Sequence, residues 1–274
     1  EIDDYFDQNH VKLSLYFMGH LPNIKDYNNP IESHIISYES YMLTDGYPEG
    51  IIHFDFTKVI TREGLLNTIS KEELTNKFFK YVDSIKNDDC RAILKYVMDK
   101  IGEPLFSHPA AVSIHHDYMS GLLMHSTTMA DIAASLVPIY EADYDMLITA
   151  VLLHDMGKTI ELEGPVVFHY SLEGKLIGHI SILAAMIKEA GETLKITSEV
   201  PILLEHMILS HHGQLDYGSP VMPLTKEAML LSMVDNLDCK MVALNKALET
   251  TNEGEFTTKI FSLDNRSFYK PKKN

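Results

Sequence analysis

The feature that most restricts the fold of this chain is a His-Asp pair at the end of an apolar helix. The stretch from Met146 to Leu153 predicts a buried segment within a helix over 144–156, and His154 and Asp155 follow it directly. A buried carboxylate is costly unless it is paired or binds a cation, and the negative end of the helix dipole adds to that cost. The pair therefore predicts a divalent metal ion at the helix end, with Gly157 as a left-handed stop.

Further candidate metal donors lie on other predicted helices. His125 falls on the apolar stripe of a helix over 117–136, so its side chain is expected to point inward. The remaining donors are His179, the pair His211 and His212, and Asp235, which lies in an apolar stretch. Imidazoles and carboxylates without thiolates suit Mn, Fe, Co, Ni or Zn. This donor set favours a hydrolytic or oxygen-activating centre over a structural zinc site. The alternative for the whole set is that the histidines merely cap helices.

The rest of the chain predicts a mainly α protein with a different first segment. Residues 1–62 contain short β-rich stretches separated by turn residues and predict a small β module. Residues 63–274 predict a helical domain with a short C-terminal tail. Its helices are expected to begin near Ser70 and then to cover 89–101, 117–136, 144–156, 173–190, 199–212 and 225–248.

Composition excludes several classes of protein. The chain has 23 Lys and Arg against 39 Asp and Glu, a formal charge of −16, which argues against nonspecific coating of nucleic acid. Its two cysteines do not suit a disulfide framework or a paired-cysteine metal site. The apolar runs are too short for a membrane helix, and the acidic N-terminus does not resemble a signal peptide. We expect a cytoplasmic protein that does not associate with membranes.

The order of the candidate donors resembles the HD phosphohydrolase superfamily. The matching residues are His125, then His154 and Asp155, then Asp235. The resemblance implies an all-helical HD domain with two divalent metal ions, for which Mn²⁺ is favoured and Fe, Co, Ni and Zn remain alternatives. It also implies the ligands. One ion is held by those four residues, and the other by the bridging Asp155 with the later histidines, His179, His211 and His212.

Additional motifs narrow the resemblance to the YhaM-type 3′→5′ exoribonucleases, over about residues 70–271. They are Pro109-Ala110-Ala111, His115-His116, Gly121-Leu122, Gly178-His179-Ile180-Ser181, Leu209-Ser210-His211-His212-Gly213, Tyr217-Gly218-Ser219-Pro220, Asp235-Asn236-Leu237-Asp238 and Asn265-Arg266-Ser267-Phe268-Tyr269-Lys270-Pro271. This resemblance implies shortening of single-stranded RNA, or of short single-stranded DNA, from the 3′ end. The family begins with an OB fold, whereas residues 1–62 show three legible strands, so this module is interpreted as a truncated or divergent OB unit.

Three residues near the predicted metal centre are candidates for catalysis. Lys158, three residues after Asp155, is expected to neutralise a phosphate oxygen; its alternative role is to complement a helix end. His115 and His116 precede the helix over 117–136, where one could protonate the leaving oxygen or contact phosphate. Their alternative role is to cap that helix.

Four residues nearer the C-terminus are candidates for substrate binding. Arg266 with Tyr269 and Lys270 could clamp a phosphate and stack on a base, although a tail that docks on the core would look similar. Tyr217, in the turn after His212, could cover the site or stack on a base.

Three other functions stay open from the sequence. The same centre could hydrolyse cyclic dinucleotides, short oligonucleotides or nucleotides. A diiron oxygenase could use the same ligands, and a non-catalytic nucleic-acid-binding module is a further alternative. The oligomeric state is also open, and a homo-oligomer is one possibility.

Overall fold

A computed structural model describes residues 71–109, 120–164 and 168–273 of the chain. The chain divides into two units, residues 1–69 and 70–274, and all described residues belong to the second. The β module predicted for residues 1–62 lies outside the described residues, as do His115 and His116.

The described unit is helical, which confirms the predicted mainly α class. Its ten α-helices are α1 (Lys71–Ser84), α2 (Asp88–Ile101), α3 (Pro104–Ser107), α4 (Gly121–Tyr140), α5 (Tyr144–Leu153), α6 (Lys158–Glu161), α7 (Leu172–Leu176), α8 (His179–Thr193), α9 (Val200–Ser210) and α10 (Lys226–Glu249). Two short strands, β1 (Leu162–Glu163) and β2 (His169–Tyr170), pair antiparallel between α6 and α7.

Helix α5 is the centre of the core. Its last eight residues, Met146 to Leu153, are all buried, as the sequence predicts. The Asp143 side chain caps the helix by accepting a hydrogen bond from the Met146 N–H at 2.9 Å. Helices α1, α2, α4, α9 and α10 pack around α5. The His-Asp pair is thereby held where several helices meet.

Helix α4 is long and apolar enough to cross a membrane by length and composition alone. Nine of its 20 residues are nevertheless buried in this unit, and His125 is one of them. Its apolar character is accounted for by packing in the core, where it contacts α1, α5 and α10.

Two sequence-based expectations about helix ends are wrong. The helix predicted over 173–190 is two helices, α7 and α8, because Gly178 between them has a φ of +77°. The helix predicted over 144–156 ends at Leu153, and Gly157 is not a left-handed stop, since its φ is −61°. A Cβ at Gly157 would instead lie 2.3 Å from the carbonyl oxygen of His179. Glycine is needed there for close approach of two backbones.

The short helix α6 is fixed between its neighbours. A Cβ on Gly174 of α7 would lie 2.2 Å from the carbonyl oxygen of Glu161, so α6 and α7 are in direct backbone contact. The N–H of Ser171 donates to that same oxygen at 2.9 Å. Gly157, which precedes α6, also lies against the start of α8, so the backbone of α6 is held on two sides.

The C-terminal tail folds back on itself and on α10. Phe256 pairs with Tyr269, and Ile260 with Arg266, in isolated antiparallel bridges. The Lys270 ammonium donates to the carbonyl oxygens of Leu248 and Thr251, at the C-terminal end of α10. A cation at this end of a helix stabilises it.

Candidate metal centre

All seven predicted metal-binding residues converge at the inner end of α5. His125 lies in the second turn of α4, His154 at the end of α5 and Asp155 in the turn that follows. His179 begins α8, the pair His211 and His212 follows α9, and Asp235 lies in the middle of α10. The donor atoms of His125, His154 and Asp155 lie within 4.8 Å of one another, and so do those of the three later histidines.

Asp155 lies between two groups of donors. Its Oδ2 is 3.4 Å from His154 Nε2 and 3.7 Å from His125 Nε2. Its Oδ1 is 3.4 Å from His179 Nε2 and 3.8 Å from His211 Nε2. We call the first group, His125, His154 and Asp235, half-site A. The second group, His179, His211 and His212, is half-site B.

The histidines of both half-sites use Nδ1 for a second partner and turn Nε2 inward. The Nδ1 of His154, His211 and His212 bonds to a backbone carbonyl oxygen, at 2.8, 2.7 and 2.8 Å. A carbonyl oxygen only accepts, so Nδ1 carries the proton and Nε2 presents a lone pair. This is the arrangement by which proteins prepare an imidazole to bind metal.

Two carboxylates behind the histidines were not identified from the sequence. Asp238 Oδ2 lies 2.6 Å from His125 Nδ1. Glu161 Oε1 accepts from both the backbone N–H and Nδ1 of His179, at 3.1 and 3.0 Å. Such outer carboxylates orient a ligating imidazole and raise its basicity. Helical spacing was the available signal, since Asp238 lies three residues after Asp235 and Glu161 three after Lys158.

The residues fit divalent cations. Three buried atoms that face the bridge, Asp155 Oδ1, His179 Nε2 and His211 Nε2, have no hydrogen-bond partner among the described residues. In half-site A, the Nε2 atoms of His125 and His154 lie 3.2 Å apart, although His154 Nε2 can only accept. Ligands of one ion at about 2.1 Å lie ~3.0–3.4 Å from each other. The clusters therefore indicate a site for divalent metal ions.

Comparison with known proteins agrees with this geometry. Residues 122–239 match the family model described as "HD domain". Two curated proteins named "3'-5' exoribonuclease YhaM", from Geobacillus sp. (strain WCH70) and Bacillus licheniformis, are each 44% identical to the chain over 204 residues.

The chain contains an HD domain and is similar over most of its length to the YhaM-type proteins. The matched residues make up 74% of this chain, and 63% and 65% of the two relatives, so the chain spans less than two thirds of either relative's length. No solved structure matches the chain. The resemblance predicted from the motifs is confirmed.

Charges in the HD centre differ between the half-sites. Burial opposes a charge on His125, but Asp235 and Asp238 outweigh it and raise the pKa of His125 to about 9. Burial depresses the pKa of His211 well below its ordinary value, with a smaller contribution from His212. Burial alone would raise the pKa of Asp235, yet His125 and His154 hold it far below the ordinary range.

Lys158 lies beside the carboxylate of Asp155 and neutralises part of its charge. Its Nζ is buried and donates to Asp155 Oδ2 at 2.6 Å. Burial opposes its charge, but the nearby Asp155 carboxylate keeps the pKa of Lys158 above its ordinary value. The lysine therefore stays cationic beside the bridging carboxylate, at the centre predicted for it.

The four substrate-binding residues predicted nearer the C-terminus fall in two places. Tyr217 follows half-site B, and the other three lie in the C-terminal tail. The Tyr217 carbonyl accepts from His212 Nδ1 of half-site B, and the Tyr217 side chain is exposed. Arg266 donates to the Leu263 carbonyl and to Asp264, both at 3.1 Å, and lies over the ring of Phe268. The ring of Tyr269 packs 5.2 Å from that of Phe256.

The contacts of these tail residues are within the tail or with α10. Lys270 in particular caps α10, as described above, so its ammonium has a structural role, and a phosphate contact by it stays a prediction. A substrate contact by Arg266 or Tyr269 stays a prediction.

Proposed function

We propose that this HD domain hydrolyses single-stranded RNA from its 3′ end with two divalent metal ions, of which Mn²⁺ is favoured for activation. The observation that carries the proposal is the bridging position of Asp155, whose two carboxylate oxygens face different half-sites. Two relatives named 3′-5′ exoribonuclease supply the direction and the substrate class.

The residues divide the work between them. When bound, a pair of divalent ions supplies a nucleophile from water at neutral pH and offsets charge on the phosphate. His125, His154 and Asp235 would hold one ion, the three histidines of half-site B would hold the other, and Asp155 would be a ligand of both. The Lys158 ammonium, which donates to Asp155 Oδ2, would be the group that donates to a phosphate oxygen as charge develops.

The alternative functions have less support. Half-site A and half-site B fit a cyclic dinucleotide phosphodiesterase or a diiron oxygenase equally well as donor sets, but the similarity to exoribonucleases favours RNA. A purely binding module gives no reason for three buried metal-facing atoms without partners. The proposed partner is therefore a single-stranded RNA.

The decisive experiment maps the products from RNA labelled at its 5′ end, with Mn²⁺ present and oxygen excluded. A ladder that shortens progressively from the 3′ end is expected. Asp155→Asn is the matched inactive control. Immediate release of labelled mononucleotide, internal cleavage, or activity on a cyclic dinucleotide with none on RNA would contradict the proposal. Loss of turnover without oxygen would favour the oxygenase.

A further inference from the structure

Cys239 lies at the edge of half-site A. It follows Asp235 by four residues in α10, which places both side chains on the same face of the helix. Its Sγ is 3.4 Å from Asp235 Oδ1. The donor atoms of Cys239, Asp235 and His125 all lie within 4.8 Å of one another.

The spacing of these three donors suits a shared ion. A metal bound to a thiolate at about 2.3 Å and to a carboxylate oxygen at about 2.1 Å places the two ligand atoms ~3.1–3.6 Å apart, depending on the coordination angle. The Sγ to Oδ1 distance of 3.4 Å lies within this range. Asp235 Oδ1 is also 3.3 Å from His125 Nε2, as expected for neighbouring ligands of one ion.

We propose that Cys239 is an additional ligand of the metal ion in half-site A. This inference rests on the proposed two-metal function. On binding, the thiol loses its proton to solvent and the sulfur binds the ion as a thiolate. Thiolate favours Zn²⁺, Co²⁺ or Fe²⁺ over Mn²⁺. The two half-sites then select different ions, with a thiophilic ion at half-site A and Mn²⁺ at half-site B.

The chain offers a matched control. Cys90 is the other of the chain's two cysteines, and it is fully buried in the first turn of α2. Its backbone N–H donates to the Asn87 side chain, and it packs in the hydrophobic core. Cys90→Ala therefore removes a thiol without changing the metal ligands.

The test is to load the full chain with Co²⁺ alone and to record its absorption. Thiolate bound to Co²⁺ gives a near-ultraviolet charge-transfer band that imidazole and carboxylate ligands do not give. The band is expected in the parent protein and in Cys90→Ala, and is expected to vanish in Cys239→Ala and Cys239→Ser. Circular dichroism checks that every variant is folded, and metal analysis counts the bound ions.

A competition between Zn²⁺ and Mn²⁺ gives a second readout. The preference of half-site A for Zn²⁺ is expected to fall by about tenfold or more in Cys239→Ala, because a soft donor is lost. A parent protein that binds two Co²⁺ without the band, or a band that persists in Cys239→Ala, would overturn the role of Cys239 alone. Absence of bound Co²⁺ in the folded parent would overturn this role and the two-metal function together.

Discussion

The two half-sites of the metal centre are built differently. Half-site A takes its imidazoles from the interior of α4 and the end of α5, and both are fully buried. Half-site B takes its histidines from the first residue of α8 and from the chain just after α9, where His212 is only partly buried. Half-site A is therefore more deeply buried than half-site B.

Charge separates them as well. Two carboxylates, those of Asp235 and Asp238, contact His125. Half-site A therefore carries buried negative charge, which Lys158 and the proton on His125 offset only in part. In half-site B, burial lowers the pKa values of His211 and His212, which favours their neutral forms. A buried anionic group requires a cation more strongly than neutral imidazoles do. Half-site A is thus expected to retain its ion, and half-site B to exchange it.

The largest effect is expected where the half-sites join. Asp155→Asn keeps the shape of the side chain but removes the charge shared by both ions, so activity should be abolished and most metal lost. Metal analysis and RNA turnover check this result. Asp155→Ala should give the same loss. Full metal occupancy with retained turnover in either variant would exclude a bridging aspartate.

Half-site B should lose its ion without loss of the ion in half-site A. His179→Ala and His211→Ala are expected to bind about one ion per chain, held through His125, His154 and Asp235, because only half-site B loses ligands. Activity should fall by several orders of magnitude if both ions act on the transition state. Calorimetric metal titration measures the stoichiometry. Two ions bound in both variants would refute this division of the ligands.

A substitution of Lys158 tests whether this lysine acts on the transition state or on substrate binding. Lys158→Met should lower kcat by about 10²-fold and change KM much less, because the contact strengthens only in the transition state. Steady-state kinetics on RNA measure both constants. Lys175→Met, at an exposed lysine of α7, is the control and should leave both unchanged. An effect confined to KM would assign Lys158 to ground-state binding.

Acidity should act on one half-site only. With a pKa of about 9, His125 is protonated in the metal-free protein below that pH, and the proton must leave before Nε2 binds metal. Displacement of this proton alone should lower the affinity of half-site A about tenfold for each pH unit below 9, and the proton lost from Cys239 as a ligand would add a further tenfold per unit. The pKa values of His211 and His212 are depressed, so protons should not compete with metal at these two ligands between pH 7 and 9.

Metal titrations between pH 7 and 9 test this difference when the His211→Ala variant isolates half-site A. Asp238→Asn should reduce the slope, since one of the carboxylates that raise the pKa of His125 is neutralised. Equal pH dependence at both half-sites would show that their electrostatic difference does not govern metal uptake.

The smallest effects are expected in the tail. Lys270→Met should cost about 1 kcal/mol of stability, since it removes a cap at the end of α10, and leave RNA affinity unchanged. Arg266→Ala should weaken RNA binding, reduce its salt dependence and leave the melting temperature near that of the parent. Thermal melts and binding at several salt concentrations distinguish these outcomes. A steep loss of melting temperature in Arg266→Ala, with RNA affinity unchanged, would make the tail a structural latch.

The sequence alone was sufficient to single out the candidate metal donors and to predict the buried helix that leads to them. Charged or imidazole side chains in apolar helical surroundings require a partner, and that requirement is local. It holds for His125 and for His154 with Asp155, and again for Asp235. The helical class follows from the same periodicity, because one repeating apolar face is enough to predict each helix.

Only the tertiary structure decided which candidate donors lie together and which groups orient them. Asp238 reaches His125 across 113 residues of sequence, and Glu161 reaches His179 across 18. Helical periodicity reports which residues share a face of one helix, but it carries no information about which helix faces which. Gly157 shows the same limit, because its need for glycine comes from the backbone of His179 and not from its own φ. The position of Cys239 beside half-site A likewise depends on how α10 packs against α4, a contact set by the whole core.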